Sequence, residues 1–158
     1  MENTAALQLP RKTNALMPTL IGGLTAGTFD LIAAVISFGW GSPRGIASGL
    51  LGARALSGGV GIWILGVILH FVIACSAAAV YYFASGRLPF LKRSFVVCGL
   101  FYGIAVFLTM NLVVLPLSAV PWKIGPFSLS GLIQGLLVHM FLIGLPISIS
   151  TWRFSDGS

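Results

Sequence analysis

The chain has 158 residues, of which 57% are hydrophobic and only 8% charged, and its mean hydropathy is +1.01. A soluble globule would need far more charge on its surface, so that class is excluded. Nine Lys and Arg against three acids give a net charge of +6; these bases are scattered singly or in pairs, which speaks against a nucleic-acid partner and for topology signals and headgroup contacts in a lipid bilayer.

A polar tail, residues 1–16, carries Arg11 and Lys12 and leads into the first apolar run, roughly residues 18–40. The pairing looks like a signal sequence, but the length of the run and its Asp30 predict a retained signal-anchor helix with Pro18 in its first turn. Further runs cover about residues 60–83, 95–116 and 128–152, and a short tail, 153–158, closes the chain. Each run exceeds the roughly 20 residues that a bilayer requires. The prediction is an all-α integral membrane protein with four transmembrane helices in one domain, residues 17–152.

The connections carry further information. GSPRGIASGLLGARALSGG, residues 41–59, has Pro43 to open a helix and Ile46, Ala47, Leu50 and Leu51 to form an apolar face, which predicts a short interfacial helix on the outer surface. SGRLPFLKR, residues 85–93, is short and predicts that the second and third spans are antiparallel neighbours. Arg11, Lys12, Arg87, Lys92, Arg93 and Arg153 fall on one side, and Arg44, Arg54 and Lys123 on the other. The positive-inside rule then puts both termini in the cytoplasm. Trp40, Trp63 and Trp122 would mark the outer interface, and Tyr81, Tyr82 and Trp152 the inner one. Cys75 and Cys98 have neither redox nor zinc spacing and read as small packing residues.

GLTAG (23–27) and GLFYG (99–103), followed by GVILHF (66–71) and GLLVHM (135–140), repeat the order G-L-x-x-G then G-x-x-x-H. This predicts a tandem two-helix repeat with parallel units. Glycines four apart let helices approach closely, so Gly23/Gly27, Gly99/Gly103 and Gly131/Gly135 are assigned to helix packing. One strongly polar residue per span falls on or near that small-residue face: Asp30, His70, Asn111 and His139. Counted along the helices, Asp30, His70 and His139 lie within about 3 Å of the midplane, and Asn111 about 8 Å further out. An ionisable group at that depth needs a partner, so a buried Asp–His–His–Asn cluster is expected, with Asp30 hydrogen-bonded to one or both histidines.

Three readings of the cluster follow. It fastens the helices in register. It carries protons for a small-solute carrier or channel, with Pro116 and Pro146 loosening their helices and a homodimer or larger membrane complex enclosing the route. Or His70 and His139 are axial ligands of a b-type haem; otherwise no cofactor or metal is expected. Catalysis is the weakest class: Glu2, Asp30 and Asp156 are the only acids, and no G-x-S-x-G, H-E-x-x-H or P-loop occurs.

GGLTAGTFDLIAA, ASGLLGARALSGG, LHFVIACSAAAVYY, MNLVVLPLSA and HMFLIGLPI resemble segments of a family of small uncharacterised four-helix bacterial inner-membrane proteins. The likeness covers nearly the whole chain after the N-terminal tail. It implies a multi-pass protein of the bacterial inner membrane and transfers no catalytic residue.

Overall fold

The structure, a computed structural model, describes residues 15–122 and 128–155. Arg11, Lys12 and Lys123 of the orientation reasoning lie outside the described residues, as do Glu2 and Asp156. All regular elements among the described residues are helical: α1 (Leu16–Phe38), α2 (Ser42–Leu51), α3 (Val60–Arg87), α4 (Phe90–Arg93), α5 (Phe95–Leu117) and α6 (Leu129–Ser155). Four of these, α1, α3, α5 and α6, are long and apolar enough to cross a membrane, at 23, 28, 23 and 27 residues.

Local chemistry sets the helix ends. Gly39 at φ 83° stops α1, and its N–H still bonds to Val35. Ser42 then turns the chain back, donating its hydroxyl to the carbonyls of Gly39 and Ala34. Ser128 caps α6 by accepting from the Gly131 N–H at 3.1 Å. Within α5 and α6 the helix widens to a π turn at Met110–Val114 and His139–Gly144. Each π turn directly precedes a Leu-Pro pair, Leu115-Pro116 and Leu145-Pro146. A proline ring crowds the carbonyl four residues back and offers it no donor, and the wider turn absorbs both defects. In both helices the next serine, Ser118 or Ser148, donates back to that leucine carbonyl, at 2.8 and 3.0 Å.

Helix α1 packs between α3 and α6, and α5 packs on the other side of α6. Small residues make both close crossings. Gly23 and Gly27 lie against Cys75 and against Phe71 and Ala74 of α3. Gly99 and Gly103 lie against Ser148, Gly144, His139 and Met140 of α6. Helices α3 and α5, expected to be neighbours, do not close backbone to backbone; two tyrosines bridge them. Tyr81 and Tyr102 meet edge to face at 4.9 Å, Tyr102 donates to the Ala77 carbonyl at 2.6 Å, and Tyr81 to Leu91 at 2.9 Å. Tyr81 is therefore a core residue, 1% exposed, and not an interface marker. Converting Tyr102 to Phe is expected to cost about 1 kcal/mol, because one interhelical hydrogen bond goes while the ring contact stays. Unfolding by denaturing detergent would measure it, and a variant as stable as wild type would show that the bond contributes nothing.

The two ends of the bundle differ. Toward the chain termini, Ala78, Tyr81, Ile143 and Ile147 form the core with Ala26, and Ser148, Ser150 and Thr151 are buried beside them. Ser150 ties α6 to α1 through the Pro18 carbonyl at 2.9 Å. Toward α2, by contrast, the stretches Met110–Leu117 and Leu129–Val138 contain no buried residue. Helix α2 fills this splayed end: Pro43 touches Gly66 of α3, and the Gly49 carbonyl accepts from the Ala119 N–H just beyond α5 at 2.8 Å. Trp63 donates to the Trp40 carbonyl and stacks on the Trp40 ring at 5.0 Å at the same end.

Candidate functional site

The polar residues singled out in the sequence lie near the level where the tight half of the bundle gives way to the splayed half. Asp30 follows Gly23, Ala26 and Gly27 at helical spacing, so it shares the α1 face that packs inward. His70 sits between buried Gly66 and Ala74 on α3. Its Nε2–H donates to the Gly27 carbonyl at 2.8 Å, and the same nitrogen is 3.9 Å from Asp30 Oδ2. The pair is thus a loose ion contact and not the direct hydrogen bond expected, and among the described residues the Asp30 carboxylate accepts no hydrogen bond. The side chains keep 22% exposure at Asp30 and 11% at His70.

His139 opens the π turn of α6. Its Nδ1–H donates to its own Gly135 carbonyl at 2.9 Å, and its ring meets Phe107 edge to face at 5.2 Å. Asp30 is near enough to act on it electrostatically. Asn111 is turned elsewhere: its amide donates to the Phe107 carbonyl, one turn back in α5, at 2.8 Å. Asp30, His70 and His139 thus form a layer across three helices, and among the described residues Asn111 joins it through Phe107 alone. Of the remaining glycines, Gly135 lies under the Phe107 ring, while Gly131 is exposed with only Ser128 of its own turn nearby. The packing role expected for Gly131 is therefore not seen; at this level the helix is tied to α1 by Gln134, which donates to the Ser37 hydroxyl at 2.9 Å.

A bis-histidine haem does not fit this arrangement. His70 Nε2, the usual axial nitrogen, is taken by the Gly27 carbonyl. The glycines of α1 and α5 that would make room for a ring are filled by Phe71, Ala74 and the backbone of α6. Among the described residues no three His, Cys, Asp or Glu side chains approach closely enough to hold one metal ion.

One buried polar atom was not foreseen in the sequence. Arg44 entered there only as an outer-side charge. On the α2 wheel it lies between Ala47 and Ser48, both 0% exposed, and beside Leu51, which is 41% exposed; Arg44 itself is half-buried. Its Nε is buried, and among the described residues it has no hydrogen-bond partner. Helix α2 is fastened one turn above the layer on two sides, by Ser42 to Ala34 and by Pro43 against Gly66. A short-range signal existed: an arginine one residue after a helix-opening proline, on the same face as Ala47. The chain matches no protein-family model, no curated protein and no solved structure.

Proposed function

We propose that the chain is a multi-pass protein of the bacterial inner membrane, with both termini cytoplasmic, and that its Asp30–His70–His139 layer carries protons in a non-enzymatic, small-solute carrier or channel. Insertion is supported by the four apolar helices, and orientation by Arg87, Lys92, Arg93 and Arg153 gathering at the termini end against Arg44 and Arg54 at the α2 end. On this orientation α2 caps the outer half of the bundle. The observation that carries the proton reading is Asp30 itself. A residue kept only as helix glue would be fully hydrogen-bonded, yet among the described residues this carboxylate has the 3.9 Å histidine contact alone and stays partly exposed beside the splayed half. Histidine titrates near neutrality and suits exchange with it.

The second reading, helix fastening, is favoured by the His70–Gly27 hydrogen bond between α3 and α1. Such bonds contribute about 0.6–2 kcal/mol. Proton flux into liposomes separates the two. Replacing Asp30 with Asn is expected to lower flux at least tenfold while the bundle stays folded. Undiminished flux would remove the proton reading and leave the fastening one.

A tandem origin for the two helix pairs belongs to the same proposal. Gly27 meets Phe71 and Gly103 meets Met140, each the residue after the histidine; Gly23 meets Cys75 and Gly99 meets Gly144, each five after it. The matched contacts extend the sequence repeat to its packing partners.

A further inference from the structure

We propose that a groove between α1 and α6 holds one anionic phospholipid, with its phosphate on Arg153 and an acyl chain along the groove. The groove has a volume of about 290 Å³. Ile21, Thr25 and Phe29 line it on α1, and Pro146, Ile149 and Arg153 on α6. Both sets follow helical spacing, so each is one face of its helix. Thr25 and Pro146 are short side chains between the larger Ile21, Phe29 and Ile149, and this leaves the recess. Ser150 also lines it, but its hydroxyl is already donated to the Pro18 carbonyl. The interior therefore offers a ligand mainly apolar contact. Phe29 and Ile149 are 45% and 44% exposed, so the groove opens away from the bundle.

Length and charge select the occupant. Ile21 to Phe29 covers about 12 Å of helix, most of the roughly 15 Å that one leaflet contributes to a bilayer core. The Ser150–Pro18 bond fixes the register of α6 on α1, so Arg153 stands level with the beginning of α1, at the termini end of the groove. Trp152 beside it stacks on Phe95 at 4.5 Å, and such aromatics belong at headgroup depth. A tail would thus lie within the groove and a headgroup at its mouth. The sole ion contact among the described residues is His70–Asp30, so Arg153 has no acidic partner there. Its Cζ lies 5.9 Å over the ring of Phe154, which lines the same groove. A guanidinium fork matches a phosphate in bidentate fashion. Phosphatidylethanolamine would bring an ammonium that meets no acid at this end among the described residues, and phosphatidylglycerol would not. A second groove, of about 360 Å³ between α3 and α5, is lined by Tyr81, Phe101 and Tyr102 and by no charged residue. It can take a tail but has nothing to select a headgroup.

Native mass spectrometry reads the selection, on full-length protein in micelles with equal phosphatidylglycerol and phosphatidylethanolamine of matched chains. One phosphatidylglycerol per chain is expected, retained about fivefold over phosphatidylethanolamine, the effect of one arginine at an anionic surface. Arg153→Gln is expected to abolish the preference, and Arg87→Gln, exposed at the same end but outside the groove, to keep it. Ile149→Trp, at an exposed position, is expected to fill the groove and lower retention at least threefold. Glycerol phosphate, a headgroup without a tail, is expected not to displace the lipid. Equal retention of the two lipids, a preference that survives Arg153→Gln, or Arg87→Gln matching Arg153→Gln would each overturn the proposal. So would full retention in Ile149→Trp, displacement by glycerol phosphate, or a dimer that holds no lipid. The inference rests on membrane insertion and not on the proton reading. Protein that alkaline carbonate extracts from membranes would remove insertion and the lipid site together; protein that needs detergent but shows no preference would remove the lipid site alone.

Discussion

Gly144→Ala is expected to destabilise the bundle by about 3 kcal/mol, the upper part of the range for overpacking. A Cβ on Gly144 would stand 2.7 Å from the Gly103 nitrogen, 3.0 Å from the Gly103 Cα and closer still to the Gly99 carbonyl oxygen. All three are backbone atoms, so no side chain can rotate away, and α5 and α6 must separate instead. The loss would spread, because Ile143, Gly144, Ile147 and Ser148 form one buried strip of α6. Unfolding in denaturing detergent should show a lower midpoint for Gly144→Ala. The same change at exposed Gly131 should be neutral or stabilising by up to about 1 kcal/mol, through helix propensity alone. Equal effects at the two positions would contradict the packing described.

Gly66→Ala is expected to undock α2 while the four long helices stay assembled. The added methyl would coincide with the Pro43 carbonyl, again a backbone group. Because α2 has solvent or lipid on its Leu50 side, it can move away, and the effect is a local opening of about 2–3 kcal/mol. With α2 would go the Ser42–Ala34 bond and the support of the Trp40–Trp63 stack. Ser48 is 0% exposed, so a Ser48→Cys reporter in a background with Cys75 and Cys98 replaced should resist maleimide. In combination with Gly66→Ala it should label at least tenfold faster. Unchanged labelling would mean that α2 is held by something other than this crossing.

Much of the fold was legible because long apolar runs have few alternatives. The runs read as 18–40, 60–83, 95–116 and 128–152 correspond to helices Leu16–Phe38, Val60–Arg87, Phe95–Leu117 and Leu129–Ser155. A helix after the first run was also legible, from Pro43 and the apolar face behind it. The candidate site was legible in part. Spacing from small residues placed Asp30 and His70 on inward faces, and the structure brings them to 3.9 Å. Asn111 was not legible: the π turn ahead of Pro116 alters the register on which its position was judged, and its amide turns to Phe107.

Glycine spacing shows where a backbone can be approached, not what approaches it, and this limits what composition and periodicity can decide. The sequence by itself determined four apolar helices, a helical connection after the first and at least one ionisable or amide side chain in each long helix. These depend on local energetics: apolar length, turn chemistry and the 3.6-residue period. Only the tertiary structure decided that α6 lies between α1 and α5, that tyrosines and not backbone bridge α3 to α5, and that Gly131 is idle while Gly144 is critical. The reason is that each of these depends on contacts between segments far apart in the chain, whose free energies are not written in either segment alone.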